Sequence, residues 1–396
     1  MKKVIVFVAA AAALVACSKS EVTPALNSAD TEISYLVAPK TKAEASRTFL
    51  TTWTFKSTAF YLDNSKTWAS NASDSQKYID DVEISWNGTD NVWRNADRKY
   101  YWPKNGKLTF CSYTSLKETT ACDTTSTGDS KASGYADAVA KYGVVTEANT
   151  NDGATPTANN TYVKASVGNN TGVQYKDFDI TANKNIDLLV ADIKADQTKN
   201  NQDVTNAPMY NTDGVPTLFR HKLSKVLFTA KLAQNYKDDG ISFRINSITF
   251  PGIDSEGTYV QLDAEGWTNS GTALQTYYDD GVAKTSSTTG FEVLKDAREV
   301  LSKDSQYLYL PQSFEVDQTT KDCFVVDYNI YYANNSTENI KATFSLNNSD
   351  SSKNIFDKWE MGKRYTINLT FSLNEILWDP AVEDWADVTK DITVGE

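Results

Sequence analysis

The chain has 396 residues, Lys+Arg 39 against Asp+Glu 51, and a formal net charge of −12. That balance opposes nucleic acid as a partner, because such binding relies on basic side chains that neutralise phosphates. A single histidine excludes a multi-histidine metal centre, and 21 Tyr, 16 Phe and 9 Trp among abundant Thr, Ser, Asn and Asp are what a strand-and-turn protein requires.

Lys2 and Lys3 precede an unbroken apolar run, Val4 to Ala16. A spanning helix needs about 20 apolar residues, so this shorter run reads as a removable signal over residues 1–16. It closes on Leu14-Val15-Ala16-Cys17, which resembles the lipobox of bacterial lipoproteins, where the cysteine thiol is lipidated. Cys17 is therefore the expected lipidation site and the expected contact with membrane lipid. Each buried methylene adds ~0.8 kcal/mol, so several acyl chains hold a protein on a membrane without a spanning helix. The alternative is an ordinary secretory signal that precedes a cysteine. The rest of the chain exceeds one ordinary core, so two domains are expected, 17–205 and 206–396. Their boundary is placed in the polar, turn-forming segment Ala195 to Gly214.

Period-two alternation recurs from end to end. Ile33, Tyr35 and Val37 share one face of a short first strand. Trp53, Phe55, Ala59 and Tyr61 share another, with Lys56 and Thr58 facing away. The polar stretch from Glu118 to Val173 includes a candidate short helix, Ser133 to Tyr142. In the second half Val226, Phe228, Ala230 and Leu232 alternate with polar neighbours, as do Ile241, Phe243 and Ile245. Phe324 to Tyr332, Ile340 to Leu346 and Tyr365 to Leu373 repeat the pattern. Strands with one dry and one wet face predict an all-β fold of paired antiparallel sheets.

Besides Cys17, the cysteines are Cys111, Cys122 and Cys323. Their spacing is neither a disulfide framework nor a zinc site. Cys111 and Cys122 either pair in an oxidising compartment or stay buried as thiols. His221 enters a strand pattern without a GxSxG nucleophile elbow elsewhere, so a structural role is expected, satisfying backbone groups together with Ser224. One reading, a secreted glycosidase, would need two carboxylates across a cleft, but Asp80 with Asp81 and Asp379 with Glu383 are not distinguishable from turn and surface acids, and Asp238-Asp239-Gly240 lacks the ligand spacing of a calcium loop. No enzyme, cofactor or metal is expected.

Several stretches, in order, resemble the fimbrillin family, the two-domain lipoprotein pilins that build type V pili. Val92-Trp93 through Tyr100-Tyr101-Trp102-Pro103, then Lys107 to Tyr113, is similar to the family's Trp-Pro turn and following strand. Leu218 to Val226 resembles its His-x-Leu-Ser-Lys strand, Tyr309-Leu310-Pro311-Gln312 its Leu-Pro-Gln element, and Trp359 to Tyr365 its C-terminal signature. The resemblance implies two transthyretin-like β-sandwich domains in tandem, the first with a removable leading strand. It implies export to the outer membrane and assembly with other pilin subunits by protease-triggered strand exchange. Adhesion would be the outcome, with a host or bacterial surface molecule as a further ligand. An arginine-specific protease would cut between Arg47 and Thr48, in the small, polar context Glu44-Ala45-Ser46-Arg47-Thr48. Lys40 and Lys42 are rival positions, and Arg47 is otherwise a solvated loop charge. The donor strand is less defined: Val388, Lys390, Ile392 and Val394 share a face and serve either as donor or as the last strand of their own domain. A different function, a surface lipoprotein that binds glycans on its aromatic rings without polymerising, is the alternative.

Overall fold

The computed structural model describes residues 31–37, 49, 51, 53–119, 141–144, 163–199, 214–279, 289–302, 305–373 and 376–384. Cys17, Arg47, Thr48, Cys122, the boundary at 205/206 and the segment Val388 to Val394 all lie outside them. Among the described residues the chain is nearly all β, as the alternation predicts. No helix there is long and apolar enough to cross a membrane.

The chain divides into two compact units that are not contiguous in sequence. The first takes 48–112 and 191–218 together with the leading segment, and the second takes 113–190 and 219 onward. In the first half of the chain β1 is Tyr35–Val37, β2 Phe55–Leu62, β3 Gln76–Asn87, β4 Val92–Arg94 and β5 Lys107–Thr119. Next come β6 Lys141–Val144, β7 Ser166–Gly168, β8 Gly172–Asp179, β9 Ile186–Ala191 and β10 Lys194–Gln197. Two short strands complete this half, β11 Val215–Thr217 and β12 Phe219–His221. Lys141 and Tyr142, at the end of the expected helix, belong instead to β6, which pairs with Lys117–Thr119 and Leu116 of β5.

The first unit is built on the strand order β11-β1-β4-β3-β2-β5, with β10 also against β5. Its sheet turns back on itself through β3, whose early residues pair with β2 and whose last three pair with β4. Rings from both parts then meet inside: Phe55 lies 5.9 Å from Trp93, and Trp102 5.8 Å from Phe110. In β2 the expected facing breaks down from Thr58 onward. Register shifts around Ala59 reset the phase, so Phe60 and Leu62 are buried while Tyr61 is only half-buried. An extra residue in one strand flips every later side chain to the other face. Thr58, expected outside, is fully buried, and its hydroxyl accepts from the Asp81 amide at 3.1 Å.

In the second half β13 is Ser224–Leu232, β14 Ser242–Val260, β15 Trp267–Asp279, β16 Phe291–Val293 and β17 Arg298–Glu299. Two short strands come next, β18 Leu308–Tyr309 and β19 Gln312–Ser313. The chain then builds β20 Cys323–Tyr331, β21 Thr337–Ser345, β22 Lys358–Trp359, β23 Lys363–Phe371 and β24 Ile376–Asp384. Within the second unit β17-β13-β23-β24 and β21-β20-β14-β8-β7 form separate sheets that share a dry interior. Phe228 of β13 packs on Tyr277 at 4.7 Å and on Phe324 at 5.1 Å, and Phe371 of β23 on Tyr328 at 5.1 Å. In β23 Tyr365, Ile367, Leu369 and Phe371 are buried and the residues between them are not, as their spacing predicts. In this unit the antiparallel expectation needs correction. β13 and β23 run parallel over eight paired residues, Lys225 to Leu232 against Arg364 to Phe371. Two strands this far apart in sequence are joined by a connection long enough to reverse direction, which alternation alone does not reveal. Gly362, at φ +68°, turns the chain into β23, and its amide donates to the Leu223 carbonyl at 3.0 Å.

Candidate functional site

The first strand is not an edge. On one side β1 pairs parallel with β11, Tyr35 opposite Val215, Leu36 opposite Pro216 and Val37 opposite Thr217. On the other, Tyr35 pairs antiparallel with Trp93 of β4. The residues just before β1 extend that second seam. The Ile33 amide donates to the Tyr100 carbonyl at 2.7 Å, and the Trp102 amide to the Thr31 carbonyl at 3.0 Å. On the β11 side the Val215 amide donates to the Ser34 carbonyl at 2.8 Å. Successive residues of a strand present their backbone groups to opposite sides, so Pro216 turns its missing N–H away from β1, toward the side where, among the described residues, no strand pairs with β11. A proline there discourages any further strand while leaving the β1 seam intact.

Gly214 sets how closely β11 approaches. It holds φ +117°, and a Cβ at this position would stand 2.6 Å from the Tyr35 carbonyl carbon and 2.7 Å from the Leu36 nitrogen. Only glycine lets the chain enter β11 flush against β1.

Alternation then sends Ile33 and Tyr35 inward, each 3% exposed, while Val37 is half-buried. The Tyr35 ring stands edge-on to Phe55 at 5.5 Å and to Phe110 at 5.8 Å. Burial pushes the Tyr35 phenol well above its ordinary 10.0. Fully burying a side chain of this size is worth roughly 1.5–3 kcal/mol, so the two plugs hold β1 by several kcal/mol beyond its hydrogen bonds.

Charge closes the outer end of the seam. The Glu32 carboxylate lies 3.3 Å from the Arg94 guanidinium and 3.2 Å from the Lys99 ammonium. Arg94 is also held by Asp90 at 2.6 Å, and both Arg94 and Glu32 are about one-fifth exposed, at 20% and 21%. A narrow cleft runs beside Ile33 and Tyr35, bordered by Glu32, Asn95, Arg98 and Tyr100. Arg98 caps it, with its guanidinium carbon 5.1 Å from the centre of the Tyr100 ring.

Sequence spacing found the two buried plugs but missed Glu32, Arg94, Lys99 and Gly214. Nothing local marks them, because each matters only once β1, β4 and β11 are neighbours. The processing residues Arg47 and Thr48 and the lipidation residue Cys17 lie outside the described residues.

The motifs singled out in the second unit are structural. The Ser224 hydroxyl donates to the Glu360 carbonyl at 2.9 Å, as expected of a residue that satisfies the backbone. His221 does something else. Its Nδ1 lies 2.7 Å from Oδ2 of Asp187, a carboxylate with no exposed surface, so a side-chain pair and not only the backbone occupies it. Gln312 of the Leu-Pro-Gln element accepts from the Asp254 amide at 2.8 Å and donates to the Leu310 carbonyl at 3.1 Å. Trp359 is 2% exposed, its ring 4.9 Å from Phe314 and 5.2 Å from Tyr309. Cys111 and Cys323 are buried free thiols, pushed by burial to about 12 and about 11.

A family model described as fimbrillin-like matches residues 56–385. Among solved structures, a fimbrial protein from Bacteroides vulgatus is similar with a TM-score of 0.55 at 16% identity, covering 90% of this chain and 99% of that one. The tip fimbrial protein Mfa3 from Porphyromonas gingivalis, with C-terminal truncation, aligns over 84% of this chain and 94% of that one, at 10% identity and a TM-score of 0.34. No curated protein matches the chain.

Proposed function

This chain belongs to the fimbrillin-like family, and from that premise we propose that it is a pilus subunit displayed at the cell surface, where it supports adhesion. It is exported as a lipoprotein held in the outer membrane through Cys17. A protease then cuts between Arg47 and Thr48, and the leading segment leaves with its lipid. A strand from another subunit takes the vacated place. Two domains, the first with this removable strand, complete the proposal.

One observation supports it above the others: residues 31–37 are inserted between two strands, not appended to an edge. Removing them would expose unpaired backbone groups on both seams and two empty apolar sites. Such a surface gains hydrogen bonds and burial when a new strand enters, which is the physics of β-augmentation. While present, β1 keeps that surface closed.

The glycan-binding alternative draws little support from the aromatic content. Trp53, Trp93, Trp102, Trp267 and Trp359 are all buried, so core packing accounts for them.

The test is to treat purified, lipid-free precursor with a trypsin-class protease, then examine the product by gel and N-terminal sequencing. The expected result is a ladder of higher-mass species whose chains begin at Thr48. Assembled material that still begins at Cys17 would rule out cleavage, and a nicked protein that stays monomeric would rule out exchange.

A further inference from the structure

We propose that the seam vacated by residues 31–37 selects its next occupant by a short code: a strand of another subunit with an acidic residue, then an aliphatic plug, then an aromatic plug two residues further on. This code rests on strand exchange as the proposed function and adds what strand exchange leaves open, namely which strand fits.

Direction comes first. The direction is taken from β1, which runs parallel to β11 and antiparallel to β4, with Val215 donating into the seam from one side and the Tyr100 carbonyl accepting from the other.

Direction in turn fixes the side-chain pattern. The first inward position is filled by Ile33 and the second by Tyr35. The second is walled by the rings of Phe55 and Phe110, which meet Tyr35 edge-on. An aromatic occupant keeps both edge-to-face contacts, whereas a small one leaves a void among rings.

The third element is charge. Arg94 and Lys99 converge on one carboxylate oxygen of Glu32, at 3.3 Å and 3.2 Å. When Glu32 leaves with β1, two cations face each other across the entrance, and among the described residues Asp90 pairs with Arg94 and not with Lys99. Arg94 is largely covered, so its field is screened less than that of a freely solvated side chain. An acidic residue one position before the first plug restores the arrangement. A basic residue there meets two like charges, which rejects it.

The experiment uses the full chain, nicked by limited trypsin treatment, and a fluorescent peptide of the sequence Thr31 to Val37 with blocked ends. Binding is followed by anisotropy beside peptides carrying Glu32→Lys or Tyr35→Ala. The parent peptide should bind, with the Glu32→Lys peptide about tenfold weaker and the gap closing as salt rises from about 0.05 to about 0.5 M. The Tyr35→Ala peptide should be weakened at every salt concentration. In protein carrying Arg94→Gln, the parent and Glu32→Lys peptides should differ less. Equal binding of the parent and Glu32→Lys peptides would overturn the charge code and leave strand exchange standing. Equal binding of the Tyr35→Ala peptide would overturn the aromatic requirement. If no peptide binds to nicked protein, the seam does not open, and the code and strand exchange fall together.

Discussion

Tyr35 stands edge-on to Phe110, ring centroids 5.8 Å apart and planes at 87°, so a residue of the leading strand forms part of the first unit's core. The same ring meets Phe55 at 5.5 Å and 82°. Tyr35→Ala should therefore lower stability by about 3–5 kcal/mol, as truncation of a large buried ring does. Tyr35→Phe keeps both ring contacts and should change it by less than about 1 kcal/mol. Urea unfolding of the two variants measures the difference. Equal, small effects would mean that Tyr35 does not anchor the strand.

Gly214→Ala places a methyl group 2.6 Å from the Tyr35 carbonyl carbon and asks a non-glycine residue to hold φ +117°. Backbone strain of this kind costs about 1–3 kcal/mol, and here it falls on the β1 seam. Hydrogen exchange of the Ile33 and Val215 amides should quicken while amides in β23 of the second unit stay protected. Unchanged protection at Ile33 and Val215 would contradict the packing described.

Asp187 has no exposed surface and receives His221 at 2.7 Å, which places a buried carboxylate next to the molecule's single histidine. His221→Ala should destabilise the protein by roughly 2–3 kcal/mol, because the carboxylate stays buried with one partner fewer. Replacing both residues, Asp187→Asn with His221→Gln, should recover part of that loss. A double-mutant cycle by thermal unfolding reads the coupling, and strict additivity of the two changes would argue against it.

Alkaline pH should weaken the fold through groups that burial keeps protonated. Cys323 is raised from 9.0 to about 11, Cys111 from 9.0 to about 12, and Tyr365 from 10.0 to about 12. Above pH 9 the unfolded chain releases these protons and the folded chain retains them. The unfolded state therefore binds fewer protons, and stability falls as pH rises. Their contribution is complete below about pH 9 and is lost progressively through the window up to about pH 12. Urea midpoints at pH 8, 9.5 and 11 should decline with increasing slope, and Tyr35→Phe should make the decline shallower by removing one buried phenol. A flat profile to pH 11 would be inconsistent with these burials.

Much of the fold is legible in the residues themselves. Ile33 and Tyr35 share a face because the spacing of two says so, and the structure buries both. The faces of β13 and β23 are legible in the same way. Where alternation misleads, a local irregularity intervenes. At Ala59 a register shift moves Phe60 and Leu62 inward in place of Tyr61, and within β14 shifts lie between Ile245 and Ser247 and between Phe250 and Ile253. A bulge depends on what the neighbouring strand offers, so one strand's pattern does not announce it.

Strand periodicity and turn chemistry are properties of a few adjacent residues, so the sequence by itself determined the β class, the inward faces and the candidate first strand. Neighbours belong to another level. The insertion of β1 between β4 and β11, the approach of Arg94 and Lys99 to Glu32, the parallel match of β13 with β23, and the grouping of 113–190 with the later strands came only from the tertiary structure. The reason is entropic. Closing a longer loop adds only about 0.6 kcal/mol for each doubling of its length, so a strand's best partner lies wherever burial and hydrogen bonding are most complete, however distant in the chain.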